Sequence, residues 1–263
     1  MCKVRDVTAV LEEYAPPRYA ESWDTQNIGL SVGDFEKDVK GIYVCVDVTE
    51  KVVGEAVSKG SDLIVSHHPL IFGGIRKINS EDFLGRRIIR LIKNGISSFA
   101  MHTNYDVAHM ADIAAQKLKM KEIRPLEVLF EEEGTLLGIG KSGILENEIT
   151  VRELCGIIKK EFGLDTVKVF GDMEMKAFKI SICPGSGKSL VSHALENGSC
   201  VYVTGDIDHH TGIDAAAEGM AIIDAGHYGI EKIFVDDVGD YLRKKFPKMR
   251  IEKQMSDDPF QVL

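Results

Sequence analysis

Apolar and amphipathic stretches alternate along the first half of the chain. Residues 41–47 (GIYVCVD) are apolar and β-branched, which predicts a buried strand. Thr49 then reads as a helix N-cap, Val52, Val53, Ala56 and Val57 share one helical face, and Gly60 ends the helix. Residues 62–66 (DLIVS) predict a second strand. Residues 84–94 (LGRRIIRLIKN) predict an amphipathic helix closed at Asn94-Gly95, and 96–101 (ISSFAM) a third strand. Strands alternating with helices imply parallel βαβ units.

The second half repeats this style. Thr150 and Glu153 spell a capping box, so a helix is predicted from there to about Phe162. Strands are predicted at 166–170, 177–183, 200–204, 220–224 and 248–252, and helices at 187–197, 211–219 and 228–245. The stretch with the least pattern is 131–143 (EEEGTLLGIGKSG), and the lobe boundary is placed just before it. The expected fold is α/β: an N-terminal lobe over 1–128 and a C-terminal lobe over 129–263, each with a mostly parallel sheet. The last helix and strand, about 225–263, are the segment available to pack back on the first lobe. No fixed-period repeat is present.

The chain has 263 residues, 32 of them Lys or Arg and 41 Asp or Glu, for a formal net charge of -9. With 44% hydrophobic and 28% charged residues it has the balance of a globular protein. The acidic balance argues against DNA as the main ligand, because phosphate gripping requires clustered Lys and Arg. No run approaches about 18 apolar residues, so no membrane-spanning helix is expected. The charged N-terminus lacks the apolar core of a signal peptide. Cys2, Cys45, Cys155, Cys183 and Cys200 are widely spaced and form no C-x-x-C. They read as small core hydrophobes of a protein in the reducing cytoplasm.

Six of the 8 histidines fall in four short segments: 66–72 (SHHPLIF), 102–106 (HTNYD), 205–210 (GDIDHH) and 226–231 (GHYGIE). Each lies at or just past a predicted strand end, where α/β sheets bind ligands. His67 and His68 can serve one site only if the chain bends there, and Pro69 favours a bend. Two polar residues at a strand end are the alternative. His227 and Glu231 stand at i and i+4, which on a helix brings their Cβ atoms to roughly 5–6 Å; a surface hydrogen bond is the alternative there. Asp106 adds a second carboxylate.

Together His67, His68, Asp106, His227 and Glu231 suit a first-row divalent metal such as Zn, Fe, Mn or Ni. Five protein ligands exceed the usual three of one open catalytic ion, so the count points to two ions about 3.5–4 Å apart. The expected place is a cleft at the carboxyl ends of the strands. His102, His209 and His210 are candidates for orienting ligands or moving protons, or for capping loops; His102 and His210 are the catalytic candidates. His109 and His193 sit alone on helical stretches and read as structural or solvent-exposed.

Residues 184–189 (PGSGKS) imitate a phosphate-binding loop. That motif requires a glycine where this chain has Ile182, so a strand-to-helix turn is the better reading, with an anion held on its backbone N–H groups as the alternative.

Taken together, SHHPLIF, HTNYD, TGDIDHH and DAGHYGIE resemble the GTP cyclohydrolase I type 2 homologues, also called the NIF-three-like family. Trp23-Asp24, the run from Asn27 to Leu30, and the run from Asp62 to Phe72 match as well, and the resemblance covers nearly the whole chain in order. It implies two α/β lobes, a dinuclear metal site, and a ring-shaped homohexamer with the sites facing the inner cavity. It implies His67, His68, Asp106, His227 and Glu231 as ligands, and it implies the short form without an inserted middle domain. Two departures stand out. Thr25-Gln26 are inserted where the family runs directly from Trp-Asp to Asn, which implies a displaced N-terminal loop. Residues 107–112 (VAHMAD) lack the glycines that usually follow the aspartate, which bears on the substrate.

The first functional expectation is a metal-dependent hydrolase of a small-molecule substrate, GTP or another nucleotide. The family name implies opening of the guanine imidazole ring with loss of formate. A two-metal phosphoesterase would share the site and differ in substrate. The alternative class is a non-catalytic metal-binding, regulatory or scaffold protein; an exchangeable coordination position separates it from an enzyme.

Overall fold

The computed structural model describes residues 2–255, 259 and 260. The chain begins with α1 (Val4–Tyr14), β1 (Gly29–Val32), β2 (Gly41–Cys45), α2 (Glu50–Ser58), β3 (Leu63–Ser66), α3 (Phe83–Lys93), β4 (Ser97–Ala100) and α4 (Thr103–Tyr105). A π-helical turn (Asp106–Met110) leads to α5 (Ala111–Lys117), β5 (Lys121–Glu132), β6 (Thr135–Thr150), α6 (Val151–Phe162), β7 (Lys168–Phe170) and β8 (Lys176–Ser186). The remaining elements are α7 (Val191–Glu196), β9 (Val201–Gly205), α8 (His209–Ala217), β10 (Ala221–Asp224), α9 (His227–Glu231), α10 (Ile233–Lys245) and β11 (Arg250–Lys253). Among the described residues no helix is long and apolar enough to cross a membrane.

The chain folds as two compact bodies. One runs to Tyr105 and resumes at Phe234 with α10 and β11; the other is Asp106–Ile233. Residues 128 and 129, where the boundary was expected, lie inside the β5–β6 hairpin, whose strands pair from Lys121↔Ile144 to Glu132↔Thr135. Its tip is Glu133-Gly134, with φ of 51° and 79°. Two positive φ values make the two-residue turn whose twist matches a hairpin, so the stretch with the least pattern holds a strand reversal.

In the first body the sheet order is β1-β4-β3-β2-β11. The four strands from β4 to β11 pair in parallel, and β1 joins antiparallel at the edge. β2, β3 and β4 are buried throughout, which explains their unbroken apolar runs. Thr49 caps α2, its Oγ1 accepting from the Val52 amide at 3.2 Å, and Val52, Val53 and Ala56 face the core. On the other side α10 meets α1: Tyr14 stacks on Tyr241 at 3.8 Å, and Tyr14 and Tyr105 both donate to Asp237 Oδ2 at 2.8 Å. The register aligns Cys45 with Ser66 and Ser66 with Ala100. The residues just past these strand ends, Asp47, His67, His68, Met101 and His102, therefore share one edge of the sheet.

In the second body the order is β5-β6-β8-β9-β10-β7. This sheet departs from the mostly parallel expectation. β8, β9 and β10 are parallel, but β5–β6, β6–β8 and β10–β7 are antiparallel. The hairpin needs no crossover helix, so its strands can only add antiparallel. The capping box at α6 is present: Thr150 Oγ1 accepts from the Glu153 amide at 3.1 Å, and Glu153 accepts from the Thr150 amide at 2.7 Å. Gly163, with φ of 60°, ends that helix. The long helix expected over 228–245 is two, α9 and α10, separated at Lys232.

Candidate metal centre

Three imidazoles gather at the β3 and β4 ends of the first body. One ring nitrogen from each of His67, His68 and His102 lies within 4.8 Å of the others. Each ring is oriented by a fixed partner on Nδ1. His67 Nδ1 stands 3.0 Å from the Met101 carbonyl, His68 Nδ1 2.8 Å from Asp47 Oδ1, and His102 Nδ1 2.9 Å from Asp24 Oδ2. Carbonyl and carboxylate oxygens only accept, so the network assigns the proton of each ring to Nδ1. In the neutral ring Nε2 then carries the lone pair. A carboxylate or carbonyl behind each imidazole is the arrangement that orients metal-binding histidines and raises their basicity. Three imidazolium ions at this spacing would repel, whereas three neutral rings offer a cation three donors.

Asp24 is the anchor of this group. It is fully buried and also accepts from the Thr103 amide (3.1 Å), Thr103 Oγ1 (2.7 Å) and Asn27 Nδ2 (3.0 Å). Burial pushes its carboxyl up, but the hydrogen bonds from His102, Thr103 and Asn27 outweigh burial and hold it well below the usual carboxylate range. Thr25-Gln26, expected to displace this loop, lie inside the turn closed by Asn27 N to Asp24 O at 2.8 Å. The turn absorbs them, and Asp24 still reaches His102. Asn104 is a further support: its Oδ1 accepts from the His102 amide at 2.9 Å and its Nδ2 donates to the Ala15 carbonyl at 2.7 Å.

The second body holds the other three expected ligands. Asp106 opens the π-helical turn that occupies the glycine-free stretch after Tyr105. Such turns recur at functional sites. His227 and Glu231 span α9, one turn apart, with His227 Nε2 at 3.1 Å from Glu231 Oε2. His227 Nδ1 faces Asp206 Oδ2 at 2.7 Å, so in the neutral ring the Nε2 lone pair points at a carboxylate oxygen. Two electron-rich atoms so close are stable only with a proton or a cation between them. Glu231 is 3% exposed, so little solvent screens this demand. The donor chemistry of both groups therefore fits a divalent metal.

Asp24, Asp47 and Asp206 carry no expected site role, and the turn at Gly185 was expected at most to hold an anion. Asp206 has a positive φ of 57°, a left-handed conformation at the end of β9 that turns its carboxylate to His227. Gly185, in the turn read as a phosphate-loop imitation, has φ of 77°; a Cβ there would run into the Glu231 carboxylate and lie 3.5 Å from His227 Nε2. Its glycine-rich pattern at a strand end was the available signal. Of the proton-carrier candidates, His102 belongs to the imidazole group. His210 is exposed in the first turn of α8 with its ring 5.3 Å from that of His209, because Asp208 caps the helix two residues earlier than expected.

Gly205 sets the position of His227. A Cβ there would stand 2.6 Å from the His227 amide nitrogen and 2.8 Å from the Gly226 carbonyl carbon. Gly205→Ala should cost about 1–3 kcal/mol, measured by urea unfolding, because both obstacles are backbone. Wild-type stability in this variant would show that the two segments are not in contact.

An α/β protein with an imidazole-rich donor set at its strand ends is the class that these observations define. The Duf34/NIF3 (NGG1p interacting factor 3) family model matches residues 2–259, and the chain belongs to that family. It is 35% identical over 265 residues to a GTP cyclohydrolase 1 type 2 homolog of Lactococcus lactis, covering 98% of each chain. It is 32% identical over 272 residues to the homolog of Clostridium perfringens, covering 99% of this chain and 100% of that one. Its structure is similar to that of a Bacillus cereus protein related to NIF3, with a TM-score of 0.95, 24% identity, and coverage of 100% and 99%. A Staphylococcus aureus hypothetical protein gives a TM-score of 0.88 at 29% identity, with 99% of each chain covered.

Proposed function

We propose that this chain binds two divalent metal ions and hydrolyses a nucleotide with them. The proposed donors are His67, His68, Asp106, His227 and Glu231. The observation that carries the reading is the set of imidazoles whose Nδ1 atoms are held by Met101 O, Asp47, Asp24 and Asp206. That arrangement puts the lone pair of each neutral ring on Nε2, the donor type that suits a cation. The relatives' name, GTP cyclohydrolase 1 type 2 homolog, supplies the nucleotide.

A bound divalent ion supplies Lewis acidity and brings the pKa of water down to about 7. The chain's own groups do the rest. Asp24 and Asn104 hold the His102 segment in place. His102 is the group for moving a proton at Nε2, since its Nδ1 proton is committed to Asp24. Glu231, nearly excluded from solvent, would set negative charge beside a bound cation.

Elemental analysis of Zn- or Mn-loaded protein should give close to two ions per chain, with Glu231→Gln losing metal and His193→Ala retaining it. Asp106→Asn should lower nucleotide turnover at least about 10-fold, read as formate or ring-opened product from GTP and as phosphate from a nucleotide panel. A folded, metal-free wild type defeats the metal reading. A metal-loaded wild type that turns over none of these substrates defeats the hydrolase reading and leaves a metal-binding or regulatory protein. The reading includes a homohexameric ring, for which light scattering should report six chains; a monomer over a wide concentration range refutes it.

A further inference from the structure

Two large aromatic side chains stand in solvent beside the imidazole group of the first body. Trp23 is 54% exposed and Phe72 64%. Their ring centroids are 6.1 Å apart with planes tilted by 55°. The His102 ring closes the corner, 6.0 Å from Trp23 and 6.3 Å from Phe72, and nearly perpendicular to both at 82° and 81°. Scattered exposed apolar residues are ordinary, but these two adjoin each other and the imidazole group.

The corner is also built. Trp23 Nε1 donates to Glu21 Oε2 at 2.9 Å, which fixes the indole plane. Asn27, 7% exposed, ties the two loops together: its Nδ2 donates to Asp24 Oδ1 at 3.0 Å and its Oδ1 accepts from the Gly73 amide at 2.9 Å. The same Asp24 holds His102. One buried carboxylate thus sets both the stacking surface and the imidazole beside it.

We propose that Trp23 and Phe72 form a stacking platform for a planar nitrogen heteroaromatic ring, a nucleobase, in a small-molecule ligand. The ligand's ring lies on the indole or phenyl face, and its edge is turned to His102 and the neighbouring His67 and His68. The proposal deepens the nucleotide reading above and rests on it for the identity of the reacting end. Stacking on exposed aromatic faces accepts any base, because every base has a π-face. An aliphatic acid has no π-face to lay on these rings, whereas a nucleobase does. The net charge of -9 opposes a polyanionic strand, so the occupant is a mononucleoside or mononucleotide and not a nucleic acid.

Trp23 is the single tryptophan of the chain, so its fluorescence reports on the platform directly. The full chain is titrated with guanosine, adenosine and ribose 5-phosphate, and metal content is measured on the same samples. Both nucleosides should quench the emission saturably, and ribose 5-phosphate should not. Phe72→Leu should weaken nucleoside binding at least about fivefold, while Phe72→Tyr restores it. No saturable quenching by either nucleoside, unchanged affinity in Phe72→Leu, or equal quenching by ribose 5-phosphate overturns the platform. Binding of an oligonucleotide without binding of nucleosides overturns it too. A metal-free but folded sample that nucleosides quench keeps the platform and defeats the metal centre; a metal-loaded sample that they do not quench does the opposite.

Discussion

Asp24→Ala should lower the unfolding free energy of chelator-treated protein by about 3–5 kcal/mol, because it removes one partner of a buried charged network. The carboxylate is fully buried and takes four hydrogen bonds, from His102 Nδ1, the Thr103 amide, Thr103 Oγ1 and Asn27 Nδ2. Alanine leaves those donors facing a cavity, and Thr103 and Asn27 are themselves buried. Chelation keeps metal linkage out of the comparison. Asp24→Asn, close in shape, should fall between wild type and alanine. The pH dependence has a definite sign. The folded-state pKa of Asp24 is lowered, so its contribution is present above the unfolded value of about 3.9 and is lost as pH falls through the folded one. The stability gap between wild type and Asp24→Asn should therefore persist at about pH 5 and narrow below about pH 4. A gap that opens only on acidification would contradict the assignment. Urea unfolding at several pH values reads both effects.

Phe234→Ala should cost about 3–5 kcal/mol, the usual range for truncating a buried phenyl ring. Phe234 is fully buried at the start of α10. Its ring crosses that of Tyr105 at 78° with centroids 4.8 Å apart, and it lies 5.3 Å from the His67 ring. Edge-to-face pairs add to the simple burial gain. The same ring backs the imidazole whose Nδ1 is held by Met101, so the variant should also bind metal more weakly than wild type when both are folded. A loss under about 1 kcal/mol would show that the segment carrying Phe234 does not pack as described.

The βαβ run from β2 to β4 was legible because its strands are buried on both faces, so the apolar run itself marks the element. The capping box at Thr150 and Glu153 was legible because its chemistry is local, spanning three residues. β5 and β6 were not. Much of β5 is exposed or half-buried, so its alternation is diluted by Glu and Lys and no periodic run forms. α1 was hidden for the same reason: only Val4, Val7, Thr8 and Leu11 are buried among charged neighbours.

The candidate ligands show the same division. His67, His68, Asp106, His227 and Glu231 could be named from the chain because donor atoms are a property of residue type, and His227 and Glu231 stand at helical spacing. His68 and His102 are pinned by Asp47 and Asp24, 21 and 78 residues away, and no local pattern joins such positions. Gly185 meets Glu231 only because β8 brings its turn to α9. The sequence alone determined which atoms can hold a metal and which runs can be buried. Tertiary structure alone decided which nitrogen of each imidazole is committed and which carboxylate does the committing. The physical reason is that a tautomer is set by the nearest acceptor in space, and nearness in space is fixed only when the strands have taken their register.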